Sequence, residues 1–143
     1  MQFAARGNLS VGLREEILSG GARSVLSPDL AGSLRVAPSV KLRAWVGYGF
    51  RLPTYTDLYY SDPSTIGNPN LKPESAWSGD GGVDWYANRR TTTSLTTFYS
   101  RQHDAIDYVR ANVMQPWRAV NLSGLRFAGL EGMLTWSPRA TSA

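Results

Sequence analysis

The chain of 143 residues has no cysteine and only one histidine, His103. The first absence excludes a disulfide framework and thiolate metal sites. The second leaves no basis for a Ser-His-Asp arrangement, and nothing pairs the carboxylates Asp80, Asp84 and Glu131 for acid–base work, so no enzyme is expected. There is no run of 18 apolar residues and no apolar signal core in the first twenty positions, so helical membrane spans and a signal peptide are not expected either. The pattern begins already inside a strand, and a truncated start with more chain upstream is expected. Clustered charge is also missing. The formal charge of +4 comes from 15 Lys and Arg against 11 Asp and Glu. These are scattered, the tight pairs being Arg89–Arg90 and Lys41/Arg43, both beside expected turns at solvated strand ends. A nucleic-acid partner is therefore not expected.

What the sequence has is alternation. From Phe3 to Ile17 the apolar residues Phe3, Leu9, Val11, Leu13 and Ile17 keep one parity, with Arg6, Asn8, Ser10 and Arg14 on the other. Such a period of two marks a strand. After a turn at Ser19–Gly20–Gly21, Leu26, Pro28, Leu30, Leu34 and Val36 alternate with Ser27, Asp29, Ser33 and Arg35. Pro28 cannot donate to a ladder, so a bulge or irregularity is expected there. Leu42, Ala44, Val46, Tyr48 and Phe50 follow, with Trp45 an intruder on the polar parity, and then Trp77, Val83 and Trp85. Over 91–106 alternation is poor, because Leu95 and Tyr99 oppose Phe98 and Ile106, and a bulge would reconcile them. The last stretch carries Val120, Leu122, Ala128, Leu130, Leu134 and Trp136 in phase, broken by Arg126. Six antiparallel up-and-down strands are predicted near 3–17, 23–37, 40–51, 75–88, 91–107 and 117–137.

These predicted strands exceed the usual mode of about 5–6 residues. A transmembrane β-strand needs about 9–11 residues, and outer-membrane barrels alternate short turns with long loops. Here the connections at 37–39 and 88–90 are short, those at 51–74 and 107–117 long, and 18–22 intermediate. Aromatics fall near the strand ends in two sets, Tyr48, Phe50 and Trp77 against Phe3, Trp85 and Trp136, as interfacial girdles would. A transmembrane barrel and a soluble β-rich binding or structural domain both alternate. Strand length favours the barrel.

The loop 51–74 is the least regular segment, with Pro53, Pro63, Pro69 and Pro73 fixing φ at four points and three tyrosines among them. Gly67 and Asn68 tolerate positive φ, so one shape could be held without ladder bonds. The run YGFRLPTYTDLYY followed by GNPNLKPE (Gly67–Glu74) resembles a segment of the barrel of TonB-dependent outer-membrane receptors. Downstream, LTTFYSRQHDAIDYV and VNLSGLRFAGLEGMLTW are similar to two further strands of that family, the second through Asn121, Arg126, Gly129, Leu130 and Glu131. The resemblance covers about residues 23–137. Within the family the vitamin B12 receptors are suggested by GNPNL and by the Asp-x-Ile-Asp-Tyr element at 104–108, while Ala128 departs from the basic residue expected before Gly129.

The resemblance implies an all-β fold: about six strands of a transmembrane β-barrel, open and incomplete by itself, over 1–137, with 138–143 a tail. Barrels of about 22 strands enclose a plugged lumen, so roughly a quarter of the wall is implied, and no plug, energy-coupling box or aromatic-ended terminal strand is found. It further implies an outer-membrane location, contact with membrane lipid, uptake of a scarce nutrient such as a metal chelate or cobalamin, and coupling to the TonB system through a plug. With short turns on the periplasmic side, the 51–74 loop is placed outside the cell, where Tyr55, Asp57, Tyr59 and Tyr60 are the candidate ligand-facing residues. No cofactor or metal is expected. His103, Asp104 and Asp107 do not share a strand face, and Gly47-Tyr48-Gly49 is read as close strand packing, not a nucleotide fingerprint. The glycosylation patterns at Asn8 and Asn121 lie inside predicted strands and are set aside.

Overall fold

A computed structural model describes residues 6–17 and 24–138. The turn expected at 19–21, and Phe3 with the start of the first strand, lie outside the described residues. Six long strands form one sheet: β1 (Gly7–Ile17), β2 (Ser24–Ala37), β3 (Val40–Arg51), β5 (Glu74–Asn88), β6 (Thr91–His103) and β9 (Leu125–Trp136), in the order β1-β2-β3-β5-β6-β9. Between β3 and β5 the chain forms a short helix, α1 (Tyr55–Tyr59), and a two-residue strand, β4 (Thr65–Ile66). Between β6 and β9 it forms β7 (Ala105–Val109) and β8 (Trp117–Leu122). These make a second sheet, ordered β4-β8-β7. The chain divides into two compact units: one comprises Met1–Gly47, Ser78–Tyr99 and Ala128–Ala143, the other Tyr48–Trp77 and Ser100–Phe127.

In the first unit the register follows from the alternation. Val11 lies opposite Leu30 and Leu30 opposite Val46, while Asn8 lies opposite Ser33 and Ser33 opposite Arg43. Residues opposed across strands share a face, so one face is apolar and the other polar. The apolar face has no cover: Leu9 is 74% exposed and Val11 75%. A soluble sandwich would bury that face against a second sheet. Among the described residues the buried hydrophobics are Leu71, Ala105 and Ala119, all in the other unit. A sheet of 11- to 15-residue strands whose leucines face outward is built for hydrocarbon.

The polar face is organised around Arg43. Its Nε lies 3.3 Å from Asp84 Oδ1, its Nη1 3.8 Å from Asp80 Oδ1, and its Nη2 donates to Thr96. Ser94 donates to the same Asp84 oxygen at 2.8 Å. Gly82 makes the room, since a Cβ there would lie 2.9 Å from the Arg43 guanidinium carbon. Arg43 is thus part of an ion-paired cluster and not the solvated strand-end charge expected from sequence. Trp45 stays on the polar parity, its indole lying over Gly47.

Three expectations are corrected. Pro28 sits in continuous register opposite Leu13, and the β2–β3 irregularity falls instead between Arg35 and Ala37. The Arg35 amide donates to the Arg6 carbonyl, so odd β2 residues bond toward β1 and Pro28 turns toward β3. The ladder to β1 therefore needs no donor from Pro28, and the register runs through it unbroken. Next, the irregularity expected over 91–106 lies at the end of β6. Strand β6 continues to His103, the Phe98 ring lies over Gly129, and the break comes at Asp104, whose φ is 53°. A second break at Gly124, with φ 150°, separates β8 from β9 within the single strand expected over 117–137. Finally, Gly67 and Asn68 do not use positive φ, and the 51–74 segment does contain regular structure.

Candidate functional site

The second unit is built from the 51–74 loop and the β7–β8 hairpin. Pro53 restricts the preceding residue and delivers the chain to Thr54, which caps α1. Thr54 Oγ1 accepts the Asp57 amide at 3.1 Å and Asp57 Oδ2 accepts the Thr54 amide at 2.9 Å. This reciprocal capping box satisfies two donors that a helix start leaves open. After the helix, Asp62 Oδ1 accepts the amides of Ser64 and Thr65 and the Ser64 hydroxyl, forming a tight turn. The chain then returns past α1: the Gly67 amide donates to the Tyr60 carbonyl at 2.7 Å and the Asn68 amide to the Asp57 carbonyl at 2.8 Å. Glycine at 67 is required by closeness, because a Cβ would lie 2.8 Å from the Asp57 carbonyl oxygen.

Asp57 is the centre of the loop's electrostatics. It is 8% exposed and accepts from the Thr54 amide, Arg51 Nη1 at 3.2 Å and the Tyr108 hydroxyl at 3.2 Å. Burial pushes its carboxyl up, but the Thr54 amide and hydroxyl, Tyr108 and Arg51 outweigh that and hold it below the ordinary carboxylate value. Burial, then the bond to Asp57, pushes the Tyr108 phenol up. Arg51 also pairs with Glu74, and Glu74 Oε2 accepts the Ile106 amide at 2.9 Å. One guanidinium therefore joins the end of β3, helix α1 and the start of β5.

The four predicted site residues separate into two kinds. Tyr55 and Tyr59, one helical turn apart, are 78% and 58% exposed, with ring centroids 5.2 Å apart. Tyr60 is 46% exposed and donates its hydroxyl to Asp62 at 2.9 Å. Asp57 faces inward, its carboxylate taken up by the loop's own donors. Sequence reasoning passed over Arg51, Glu74 and Tyr108, which complete the network. A usable signal was present in Thr54-Tyr55-Thr56-Asp57, a capping-box spacing directly after proline. Position 119 falls on the polar parity of its strand by sequence, yet Ala119 is 1% exposed. Among the described residues no group of three or more His, Asp or Glu could hold a metal ion.

Aromatic rings with a packed partner mark strand ends in both units. Tyr48 and Trp77 have ring centroids 5.4 Å apart near the ends of β3 and β5, and at the Pro38–Ser39 turn Arg35 lies 5.1 Å from the Tyr86 ring. Long antiparallel strands with an outward apolar face, aromatic ends, short turns and one elaborated loop region define a transmembrane β-barrel wall. Comparison with known proteins gives the same class. Residues 1–142 match the family described as TonB dependent receptor-like, beta-barrel. The vitamin B12 transporter BtuB of Vibrio vulnificus is 34% identical over 100 residues, covering 68% of this chain and 16% of the transporter. That of Photobacterium profundum is 29% identical over 106 residues, covering 72% and 17%. Among solved structures, the siderophore receptor PirA from Pseudomonas aeruginosa shares the fold with a TM-score of 0.74 at 23% identity, covering 92% of this chain and 25% of the receptor. The chain belongs to the TonB-dependent receptor β-barrel family, whose members are bacterial outer-membrane proteins. It spans about a sixth of the length of the curated relatives it matches.

Proposed function

We propose that residues 1–137 form six strands of the wall and an extracellular loop of an outer-membrane receptor that imports a scarce nutrient of the metal-chelate or cobalamin class, with 138–143 a tail. The observation that carries this reading is the loop itself. A buried, ion-paired interior around Asp57 holds three tyrosines toward solvent, and a rigid phenol ring offers a broad apolar face with a polar tip at small conformational cost. Tyr55, Tyr59 and Tyr60 are the ligand-facing residues in this account, and Asp57 acts through the loop that positions them. The two curated relatives are named vitamin B12 transporters, which makes cobalamin the first ligand to test. The remaining partners are lipid on the apolar face and the TonB system, reached through a plug supplied elsewhere in the receptor.

The test is equilibrium binding of cyanocobalamin and of a ferric chelate to the full receptor in detergent. Replacing Tyr55, Tyr59 and Tyr60 together by alanine is expected to weaken binding of the cognate ligand at least tenfold while leaving the heat stability of the barrel unchanged. Unaltered affinity for every ligand the receptor binds would remove the tyrosines from the site.

A further inference from the structure

The 51–74 loop and the hairpin of β7 and β8 come from different parts of the chain, and side-chain amides stitch them together. Asn121 Oδ1 accepts the Lys72 amide at 2.9 Å, and its Nδ2 donates to the Lys72 carbonyl at 3.0 Å and to the Asp104 carbonyl at 2.7 Å. The carboxamide thus presents one acceptor and one donor to both backbone groups of a single residue, as a neighbouring strand would. Its third bond holds Asp104, a non-glycine residue with positive φ at which the chain leaves β6. Asn68 makes a parallel link, its Nδ2 donating to the Ala119 carbonyl at 3.2 Å, and β4 pairs with β8 at Thr65↔Trp117. Glu74 and Asp57 add the bonds to the Ile106 amide and the Tyr108 hydroxyl. The buried Leu71, Ala105 and Ala119 are drawn from the two segments so joined.

From this geometry we infer that Asn121 is a positioning residue that locks the 51–74 loop and the 104–122 hairpin into one rigid body, holding the exposed tyrosines at a fixed distance from the hairpin tip at 110–116. The locking stands on the hydrogen bonds alone; its consequence for ligand rests on the function proposed above. Substituting Asn121 removes the group that satisfies both Lys72 backbone atoms. An isosteric Asn121→Asp keeps the acceptor and sets a carboxylate against the Lys72 and Asp104 carbonyl oxygens. The two segments should then shift relative to each other within the slack left by the remaining Asn68, Glu74 and Asp57 bonds.

This chain contributes no cysteine, so spin labels can be placed in it once any cysteine elsewhere in the receptor is replaced by serine. Thr56→Cys on α1 and Asn112→Cys on the hairpin tip, both exposed, report the distance between the two segments in the detergent-solubilised full receptor. With Asn121 present the measured distance distribution is expected to be single and narrow. With Asn121→Asp, and with Asn121→Ala, it should broaden at least twofold, while a label pair at Val36→Cys and Arg89→Cys stays narrow. Binding of cyanocobalamin or of the ferric chelate, whichever the receptor takes, should weaken about tenfold. A narrow Thr56–Asn112 distribution in the Asp variant overturns the inference. Broadening with undiminished ligand binding upholds the lock and instead counts against the ligand-facing role of the loop.

Discussion

Replacing Asp57 by alanine should open the 51–74 loop without unfolding the sheet. The mutation strips acceptors from the Thr54 amide and the Tyr108 hydroxyl beside a residue that is 8% exposed. Both bonds are part-buried, and each is worth about 0.5–1.5 kcal/mol. Arg51 loses one of two partners, but its side chain is 45% exposed and keeps Glu74, so its share is at most about 0.5–1 kcal/mol. The sum is roughly 1–4 kcal/mol, a factor of about 5 to several hundred in the local opening equilibrium. Asp57→Asn is milder, because a carboxamide can accept from Thr54 and donate to the Tyr108 oxygen, and should cost about 1 kcal/mol. Amide hydrogen exchange on the solubilised receptor measures this directly. The Leu58, Tyr60, Gly67 and Asn68 amides, bonded to the Thr54, Thr56, Tyr60 and Asp57 carbonyls, should exchange faster by those factors, with alanine worse than asparagine. Amides of β1 to β3 should not change. Equal protection in wild type and Asp57→Ala would refute the claim that this carboxylate organises the loop.

The same network sets a pH window. Asp57 has its carboxyl held below the ordinary 3.8, so its contribution is present above that value and is lost as pH falls through the lower folded value. Tyr108 has its phenol raised above 10.0, so its contribution is present below that value and is lost as pH rises beyond it. Loop-amide protection should therefore be flat between about pH 4 and pH 10 and fall outside that range, and a fall centred near pH 7 would contradict the assignment. Gly67→Ala drives a methyl into the backbone of Asp57 and Leu58 and should destabilise the loop by about 1–3 kcal/mol, read from the same amides; wild-type exchange would show that the backbone can yield there. Arg43→Ala leaves Asp80 and Asp84 without their cation on the polar face, and should lower the heat-unfolding midpoint of the barrel measured by mobility shift in detergent. An unchanged midpoint would mean that the cluster is solvated.

Much of the wall was legible from sequence because one face is kept apolar. Leu9, Val11, Leu13, Leu30, Leu34 and Val46 are all exposed on that face, so their parity is nearly unbroken and the spans of β1 to β3 follow from it. The loop was legible as a motif and less so as a structure. Four prolines and a GNPNL run suggested a fixed shape, and the shape is held by capping, by Asn68 and Asn121, and by an arginine shared between two carboxylates. Those partners lie up to 51 residues apart in sequence, as with Asp57 and Tyr108, and periodicity carries no information about such pairs. Asp57 illustrates the limit. Counted with its tyrosine neighbours it reads as an exposed polar contact, yet the N3 position of a capping box turns its carboxylate inward. Asp104 and Gly124 were hidden for a related reason. Each ends a strand through one backbone angle, and at Gly124 the apolar parity is the same on both sides, so alternation alone gives no sign of the break.

The central claim, that this sheet is a membrane wall with the 51–74 loop outside the cell, is tested most directly by cysteine accessibility in the full receptor expressed in its outer membrane. Thr56→Cys and Ser64→Cys should react with an impermeant thiol reagent on intact cells, and Arg89→Cys, in the short β5–β6 turn, only after the outer membrane is breached. Labelling of Arg89→Cys on intact cells with Thr56→Cys and Ser64→Cys protected would contradict the account.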